Sequence, residues 1–270
     1  MRKSKLEERL QKTLARAGLG ARRKCEQLIV EGRVVVNGSI CDQLGAKVDP
    51  AIDRIEVDGA HIRLPDAAYI VMFNKPAGSL TTMEIDRNGR ETVMDYFRDF
   101  PVRIFPVGRL DFDTEGLLLL TNDGAFSQRV THPSQKVFKT YEALIYGTPE
   151  EWVLDELRKG VCLDDGMTSP ARARLISIGK TRVSPRGKRY SDRDEKKIEI
   201  DTSLVEISIR EGKKRQVRRM LRAMGHNVIA LKRIAIGSLK LGDLPLARYR
   251  ILSAEEAGLA FEDAYADSDR

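Results

Sequence analysis

The sequence predicts an α+β protein in which a small αβ module precedes a larger α/β module. Leucines recur at helical spacing between Leu6 and Ala17, which indicates a helix near the first residue. Residues 34–36 are β-branched and are followed by Asn37-Gly38, a dipeptide typical of a tight hairpin turn. Residues 117–120 are consecutive leucines, and a run this short is typical of a strand covered on both faces.

Composition limits the class of protein and its partners. The 270 residues suffice for one or two domains with a sizeable core, and the formal net charge of +7 favours an anionic partner. No apolar run is long enough to span a bilayer. The three scattered cysteines fit reduced thiols in a cytoplasmic protein, not a disulfide frame or a zinc site.

The first module is expected to span residues 1–64. Two helices are predicted, at residues 6–17 and 22–31, followed by short strands near residues 34–36, 47 and 54–57. Basic residues cluster around the loop between the helices, where they could bind phosphates: Arg16, Arg22 and Arg23. The alternative is a solvated charged face, the usual location of such side chains.

The second module is expected to span residues 65–254. Its pattern predicts strands at residues 69–74, 117–121, 141–145, 205–210, 227–229 and 231–236, and helices at residues 93–97, 125–131, 149–160 and around 217–224. Residues 180–197 form a polar insertion interpreted as a flexible hairpin loop, and the acidic residues 255–270 are interpreted as a flexible tail.

The stretch from residue 106 to 124 carries the strongest chemical signal. Arg109 and Asp111 lie between Gly108 and Gly116, directly before the leucine run. A carboxylate at the mouth of an apolar run, with a cation two residues away, is a plausible reactive site. From the residues alone, however, an Asx-type turn organised by Asp111 and Asp113 is the favoured interpretation.

A resemblance changes that weighting. Gly-Arg-Leu-Asp-x-x-Thr-x-Gly-Leu-Leu-Leu-Leu-Thr-Asn-Asp-Gly resembles the catalytic motif of the RsuA/RluB/RluE/RluF-type pseudouridine synthases, most closely the RluB type. Three further strings resemble motifs of the same family: Asn-Lys-Pro-x-Gly, Lys-Thr-Tyr and Gly-Lys-x-x-Gln-Val-Arg-Arg-Met. The first module resembles an S4-type RNA-binding domain, although Ala21 stands where that family usually has a serine N-cap. The resemblance implies a catalytic domain with a mixed, mainly antiparallel sheet behind an S4 domain.

The resemblance also implies the reaction, the isomerisation of uridine to pseudouridine in ribosomal RNA, with the large-subunit 23S RNA favoured. Asp111 is then the catalytic aspartate and Tyr141 packs against the displaced uracil. Arg218 pairs with Asp111 and favours its ionised form. Arg109 enters the space left by the flipped base. Basic residues of the third motif would bind RNA phosphates: Lys213, Arg215 and Arg219.

Several alternatives stay open. The carboxylate could attack the anomeric carbon of the ribose, or remove a proton from the neighbouring carbon to give a glycal. The substrate could be small-subunit 16S RNA, as for the RsuA type, or the chain could be a non-catalytic S4-domain RNA-binding protein. A metal-dependent phosphodiester hydrolase using Asp111, Asp113 and Asp123 is a further rival. The favoured interpretation needs no cofactor or metal and expects a cytoplasmic monomer.

Overall fold

The chain forms two compact units in this computed structural model, which describes residues 7–183 and 198–263. The first unit comprises residues 1–68 and 100–104, and the second comprises residues 69–99 and 105–270. The first unit contains α1 (Leu10–Arg16), α2 (Arg22–Val30), β1 (Glu8–Arg9), β2 (Val34–Val36), β3 (Ser39–Ile40), β4 (Lys47–Val48), β5 (Ile55–Val57) and β6 (Ala60–His61).

The first unit packs its two helices against short strands. β1 pairs with β4, and a four-stranded antiparallel sheet has the order β3-β2-β5-β6. Leu10, Leu14 and Ile29 are fully buried in its core. Asn37 and Gly38 both have positive φ, 52° and 83°, as the predicted hairpin turn requires. Ala21 is the N-cap of α2 and offers no side-chain hydrogen bond, as expected from its missing hydroxyl.

The predicted start of the first helix was wrong. The helix begins at Leu10, because Glu8 and Arg9 are extended and pair with β4, and the backbone NH of Leu10 donates to the carbonyl of Ala46 at 2.8 Å. Leu6 lies outside the described residues. Helical periodicity placed the buried leucines correctly, but strand pairing decided where the helix begins.

The second unit is built on one large sheet. Its strands are β7 (Ile70–Lys75), β8 (Phe105–Val107), β9 (Thr114–Thr121), β10 (Lys139–Tyr146), β11 (Cys162–Leu163), β12 (Gly166–Met167), β13 (Arg172–Val183), β14 (Ile198–Ile209), β15 (Val228–Ile236), β16 (Leu239–Lys240) and β17 (Tyr249–Ile251). Its helices are α3 (Gly124–Thr131), α4 (Glu151–Lys159), α5 (Gln216–Ala223) and α6 (Ala254–Gly258). Short 3₁₀ turns cover Val93–Phe97, Pro133–Gln135 and Leu259–Phe261.

The mixed, mainly antiparallel sheet is confirmed. Nine strands form it in the order β13-β14-β10-β15-β9-β7-β17, with β16 on β15 and β8 on β9. The β15–β9 pair is parallel, and the other described pairs in this sheet are antiparallel. All four leucines at positions 117–120 are fully buried, so β9 is covered on both faces as predicted.

Three other segments differ in part from expectation. Residues 227–229 and 231–236 were predicted as two strands, but residues 228–236 form one strand, β15. Of the polar insertion, residues 180–183 continue β13, and residues 184–197 lie outside the described part of the chain. The acidic segment, predicted to be flexible, contains α6, which has a capping box between Ser253 and Glu256 and buries Ala257. Small apolar residues among the acids therefore dock this segment on the sheet; residues 264–270 are not described.

Candidate active site

The loop between β8 and β9 is held from beneath by a buried lysine. Lys75 ends β7 and is fully buried, and its Nζ donates to the carbonyls of Pro76, Asp111 and Thr114 at 3.0, 3.2 and 3.0 Å. Burial lowers the pKa of Lys75 to about 8, although Asp113 and Asp111 nearby favour its charged form. The lysine thereby fixes the backbone on both sides of the motif acids.

Two further bonds fix the same loop. Thr81 Oγ1 donates to the carbonyl of Leu110 at 2.8 Å, and the NH of Gly78 donates to the carbonyl of Phe112 at 2.7 Å. Lys75 was not predicted as a site residue beyond its place in the Asn-Lys-Pro-x-Gly string. The available signal was a lysine at the end of an otherwise buried apolar strand, where lysine is rare unless it has partners.

A cavity of about 410 Å³ opens beside this loop. Its lining includes Arg109 and Asp111 from the loop, Tyr141 from β10, and residues 212–217 at the start of α5. The volume lies in the range of small-ligand sites. The structure thus brings together several distant chain segments, and it unites Asp111, Tyr141 and Arg109 with Lys213 and Arg215.

Among the described residues, no hydrogen bond or ion pair joins Arg218 to Asp111, although the charge of Asp111 acts against the burial that lowers the pKa of Arg218. Its Nη2 donates to the backbone carbonyl of Asp113 at 2.7 Å and lies 3.4 Å from Asp113 Oδ2, while Nη1 donates to the carbonyl of Val228 at 3.2 Å. The side chain is only 11% exposed and does not line the cavity. Arg218 is therefore a link between α5, the motif loop and β15.

Asp113 carries the ion pair that spans the loop and α5. Both of its carboxylate oxygens accept from the guanidinium of Arg215 at 2.7 Å. This bidentate contact holds the pKa of Asp113 below its ordinary value. Arg215 is the N-cap of α5 and has left-handed backbone angles, φ 51° and ψ 36°. The local pattern around Asp113 indicated only a turn, since a partner 102 residues away leaves no local signal.

Two residues expected to bind RNA are engaged elsewhere. Lys213 Nζ donates to the carbonyls of Asp165, Gly166 and Met167 at 3.0–3.2 Å; Asp165 is in the turn of the β11–β12 hairpin, and the other two residues form β12. Arg219 makes a bidentate ion pair with Asp165 at 2.8 and 2.9 Å. Both side chains therefore fasten the hairpin to α5.

Two other cations at the cavity are unengaged. Arg109 and Lys214 are exposed lining residues, and neither side chain has a hydrogen bond or ion pair within residues 7–183 and 198–263. The acids proposed for a hydrolase do not converge, since Asp113 meets two arginines and Asp123 caps α3 by accepting from the NH of Ala125. In the part of the chain described, no three His, Cys, Asp or Glu side chains are grouped to hold a metal ion.

Comparisons with known proteins agree with this architecture. The RNA pseudouridylate synthase family matches residues 69–223, and the S4 domain matches residues 8–51. Ribosomal large subunit pseudouridine synthase B of Bacillus subtilis is 43% identical over 249 residues, covering 92% of this chain and 93% of that protein. An RNA pseudouridine synthase of Aquifex aeolicus is 41% identical over 257 residues, covering 95% of each chain. A crystal structure of a pseudouridylate synthase, 28% identical, aligns with a TM-score of 0.60 and covers 93% of this chain and 99% of its own.

An S4 domain followed by a synthase domain defines an RNA-modifying enzyme. The chain belongs to the RNA pseudouridylate synthase family, and it is an isomerase that makes pseudouridine. The resemblance to RsuA/RluB-type synthases is thereby confirmed. Among the described helices, none has the length and apolar character needed to cross a membrane.

Proposed function

We propose that this enzyme isomerises a uridine of large-subunit 23S ribosomal RNA, with Asp111 as the essential carboxylate. The observation that carries the assignment of the residue is the cavity, in which Asp111 shares one space with Tyr141 and the basic start of α5. The substrate assignment is supported by the Bacillus subtilis relative, whose name specifies the large ribosomal subunit.

The reaction exchanges one bond for another. The bond from ribose C1′ to uracil N1 breaks, the uracil turns, and a bond forms from C1′ to uracil C5; C5 gives up its hydrogen as a proton and N1 takes up a proton, so the atoms balance. Asp111 either attacks C1′, giving an ester-like intermediate from which uracil C5 then displaces it, or removes a proton from C2′ to give a glycal and returns that proton when the C1′–C5 bond forms. Both routes need an ionised carboxylate held in a fixed position next to the ribose. The hydrogen bonds from Lys75 to the backbone carbonyls of Asp111 and Thr114 hold the loop that carries this carboxylate. No oxidation state changes, so the reaction requires no redox cofactor.

The target uridine is proposed to leave its stack and enter the cavity. Tyr141 offers a flat face for the uracil, and flipping a base costs a few kcal/mol. Arg109, exposed and without a partner in the described residues, is available to stack in the gap that the uridine leaves. Arg218 acts on Asp111 through the loop backbone, and so its proposed role is positioning.

RNA binding by the S4 domain is proposed to use arginines of that domain, separate from the basic residues at the cavity. Arg22 and Arg23 are exposed and lack side-chain partners among the described residues, whereas Arg16 already donates to Glu8 at 2.8 Å. Arg22 and Arg23 are therefore the stronger phosphate ligands of the three. We further infer that the enzyme acts as a monomer in the cytoplasm.

The test is a map of pseudouridine in ribosomal RNA from cells that lack this protein, repeated after restoring the wild type or Asp111→Asn. We expect one 23S site to disappear on deletion and to return with the wild type alone. A lost site in 16S RNA would favour the small-subunit alternative. If no site disappears, the ribosomal substrate is wrong.

Lys214 is expected to contribute more to RNA affinity than Arg219. Lys214 lines the cavity without a partner among described residues, but Arg219 is already neutralised by Asp165. Lys214→Gln should weaken binding and reduce the slope of log affinity against log salt by about 0.7–0.9, the value for one phosphate contact. Arg219→Gln is the matched control, with the slope unchanged. Equal slope changes in fluorescence titrations of the two variants would contradict this difference.

A further inference from the structure

The two arginines that meet Asp113 are held in different ways. Arg218 is 11% exposed and donates to two backbone carbonyls, those of Asp113 and Val228. Arg215 is 40% exposed and lines the cavity, and its guanidinium donates two hydrogen bonds to the Asp113 carboxylate. The loop thus remains anchored by Arg218 even if the carboxylate leaves Arg215.

The contact between Arg215 and Asp113 has the geometry of an anion site. A guanidinium fork binds a carboxylate or a phosphate through the same two parallel hydrogen bonds. The left-handed backbone of Arg215 directs this fork from the N-cap of α5, and Arg218 Nη2 stands 3.4 Å from the same carboxylate. Two cations therefore face one exchangeable anion at the rim of the cavity that holds Asp111.

We propose that Arg215, supported by Arg218, forms a binding site for a backbone phosphate of the substrate RNA, and that the Asp113 carboxylate fills this site until RNA displaces it. The inference rests on the proposed function, since it takes RNA as the substrate that enters this cavity. The exchange replaces one singly charged anion by another, so the net charge at the two guanidinium groups is unchanged. Both side chains are partly exposed, 40% for Arg215 and 43% for Asp113, so a phosphate from solvent can reach the fork and form the same two hydrogen bonds in place of the carboxylate.

Asp113 is then a competitor of the substrate, which is the opposite of a structural clip. If the Asp113–Arg215 pair were only structural, removing the carboxylate would lower the stability of the protein and would not increase its affinity for RNA. A competitor leaves a vacant phosphate site when it is removed. Asp113→Asn keeps the backbone carbonyl that Arg218 holds, and so the loop anchor survives the substitution.

The experiment measures binding of a fluorescent oligouridylate at several salt concentrations. Asp113→Asn should bind roughly threefold to tenfold more tightly than the wild type, because the phosphate no longer has to displace a carboxylate, and the log–log salt slope should be similar, because the same phosphate contact forms in both proteins. Asp165→Asn is the matched control, because it also removes one acid and breaks a bidentate arginine pair on α5, but away from the cavity. It should give a smaller gain and no change of slope.

Two further variants decide the mechanism. Arg215→Gln should weaken binding and flatten the salt slope, and the double variant Asp113→Asn/Arg215→Gln should show none of the gain. No gain in Asp113→Asn, an equal gain in Asp165→Asn, or a gain that survives in the double variant would each overturn the proposal. Pseudouridine formation by the wild type is measured separately. If the wild type forms no pseudouridine, the proposed function is wrong, but the binding measurements still test the phosphate site.

Discussion

Asp111→Asn is expected to reduce the rate of pseudouridine formation by roughly 10³-fold or more, while RNA affinity stays within about twofold of the wild type. The amide keeps the shape of the side chain but can neither attack C1′ nor accept a proton from C2′, so both chemical routes fail. The loop should stay in place, because Lys75 and Thr81 hold its backbone and not the Asp111 side chain. Single-turnover assays on purified protein measure the rate, and fluorescence titration measures the affinity.

Asp123→Asn is the control for this prediction. Asp123 belongs to the same motif, but its side chain caps α3, a role that asparagine fills equally well. Activity should therefore be retained. An Asp111→Asn enzyme that keeps a tenth of wild-type activity would remove Asp111 from the chemistry. Loss of wild-type activity in the presence of a metal chelator would instead support a metal-dependent reaction that uses Asp111, Asp113 and Asp123.

Gly116→Ala is expected to lower the free energy of unfolding by about 4 kcal/mol or more, or to prevent folding. Gly116 has φ +104°, and an added Cβ would stand 2.2 Å from the carbonyl oxygen and 2.8 Å from the nitrogen of Arg233. Both neighbours are backbone atoms of β15 and cannot rotate away. The clash falls on the β9–β15 parallel pair, which joins the motif strand to the half of the sheet that carries Tyr141.

Gly147→Ala separates the clash from ordinary backbone strain. Gly147 also has a positive φ, +71°, but a Cβ added there would have no neighbouring atom within 4 Å. Its substitution should cost only about 1–2 kcal/mol, the cost of a left-handed conformation. Urea denaturation of the two variants measures the difference. Similar losses of stability would show that steric contact with Arg233 is unimportant.

The register of the sheet explains why the glycine matters for the site. Gly116 is paired with Lys75 of β7 on one side and with Arg233 of β15 on the other, and Arg233 is paired with Tyr141 of β10. One row across four strands therefore runs from the lysine beneath the motif loop to the tyrosine in the cavity. A shift at Gly116 would move both ends of this row relative to each other.

Local sequence patterns were sufficient for most elements. The buried leucines of β9, the hairpin turn at Asn37 and the amphipathic helix α5 follow from short-range periodicity and turn chemistry. The ends of elements were harder to predict, because strand pairing and docking depend on residues far along the chain. Ser253 and Glu256 show this, since their capping box begins a helix in an acidic segment that then docks on the sheet.

By itself, the sequence determined the two-module α+β architecture, the enzyme class and some of the residues that line the cavity, among them Asp111 and Tyr141, since these depend on local patterns and on family motifs. Only the tertiary structure decided how the charges are shared: Arg215 and Arg218 meet Asp113, Lys213 and Arg219 hold the β11–β12 hairpin, and Lys75 supports the loop of Asp111. The physical reason is that ion pairs form between groups brought together by the sheet, and the parallel β9–β15 pairing joins segments about a hundred residues apart in the chain.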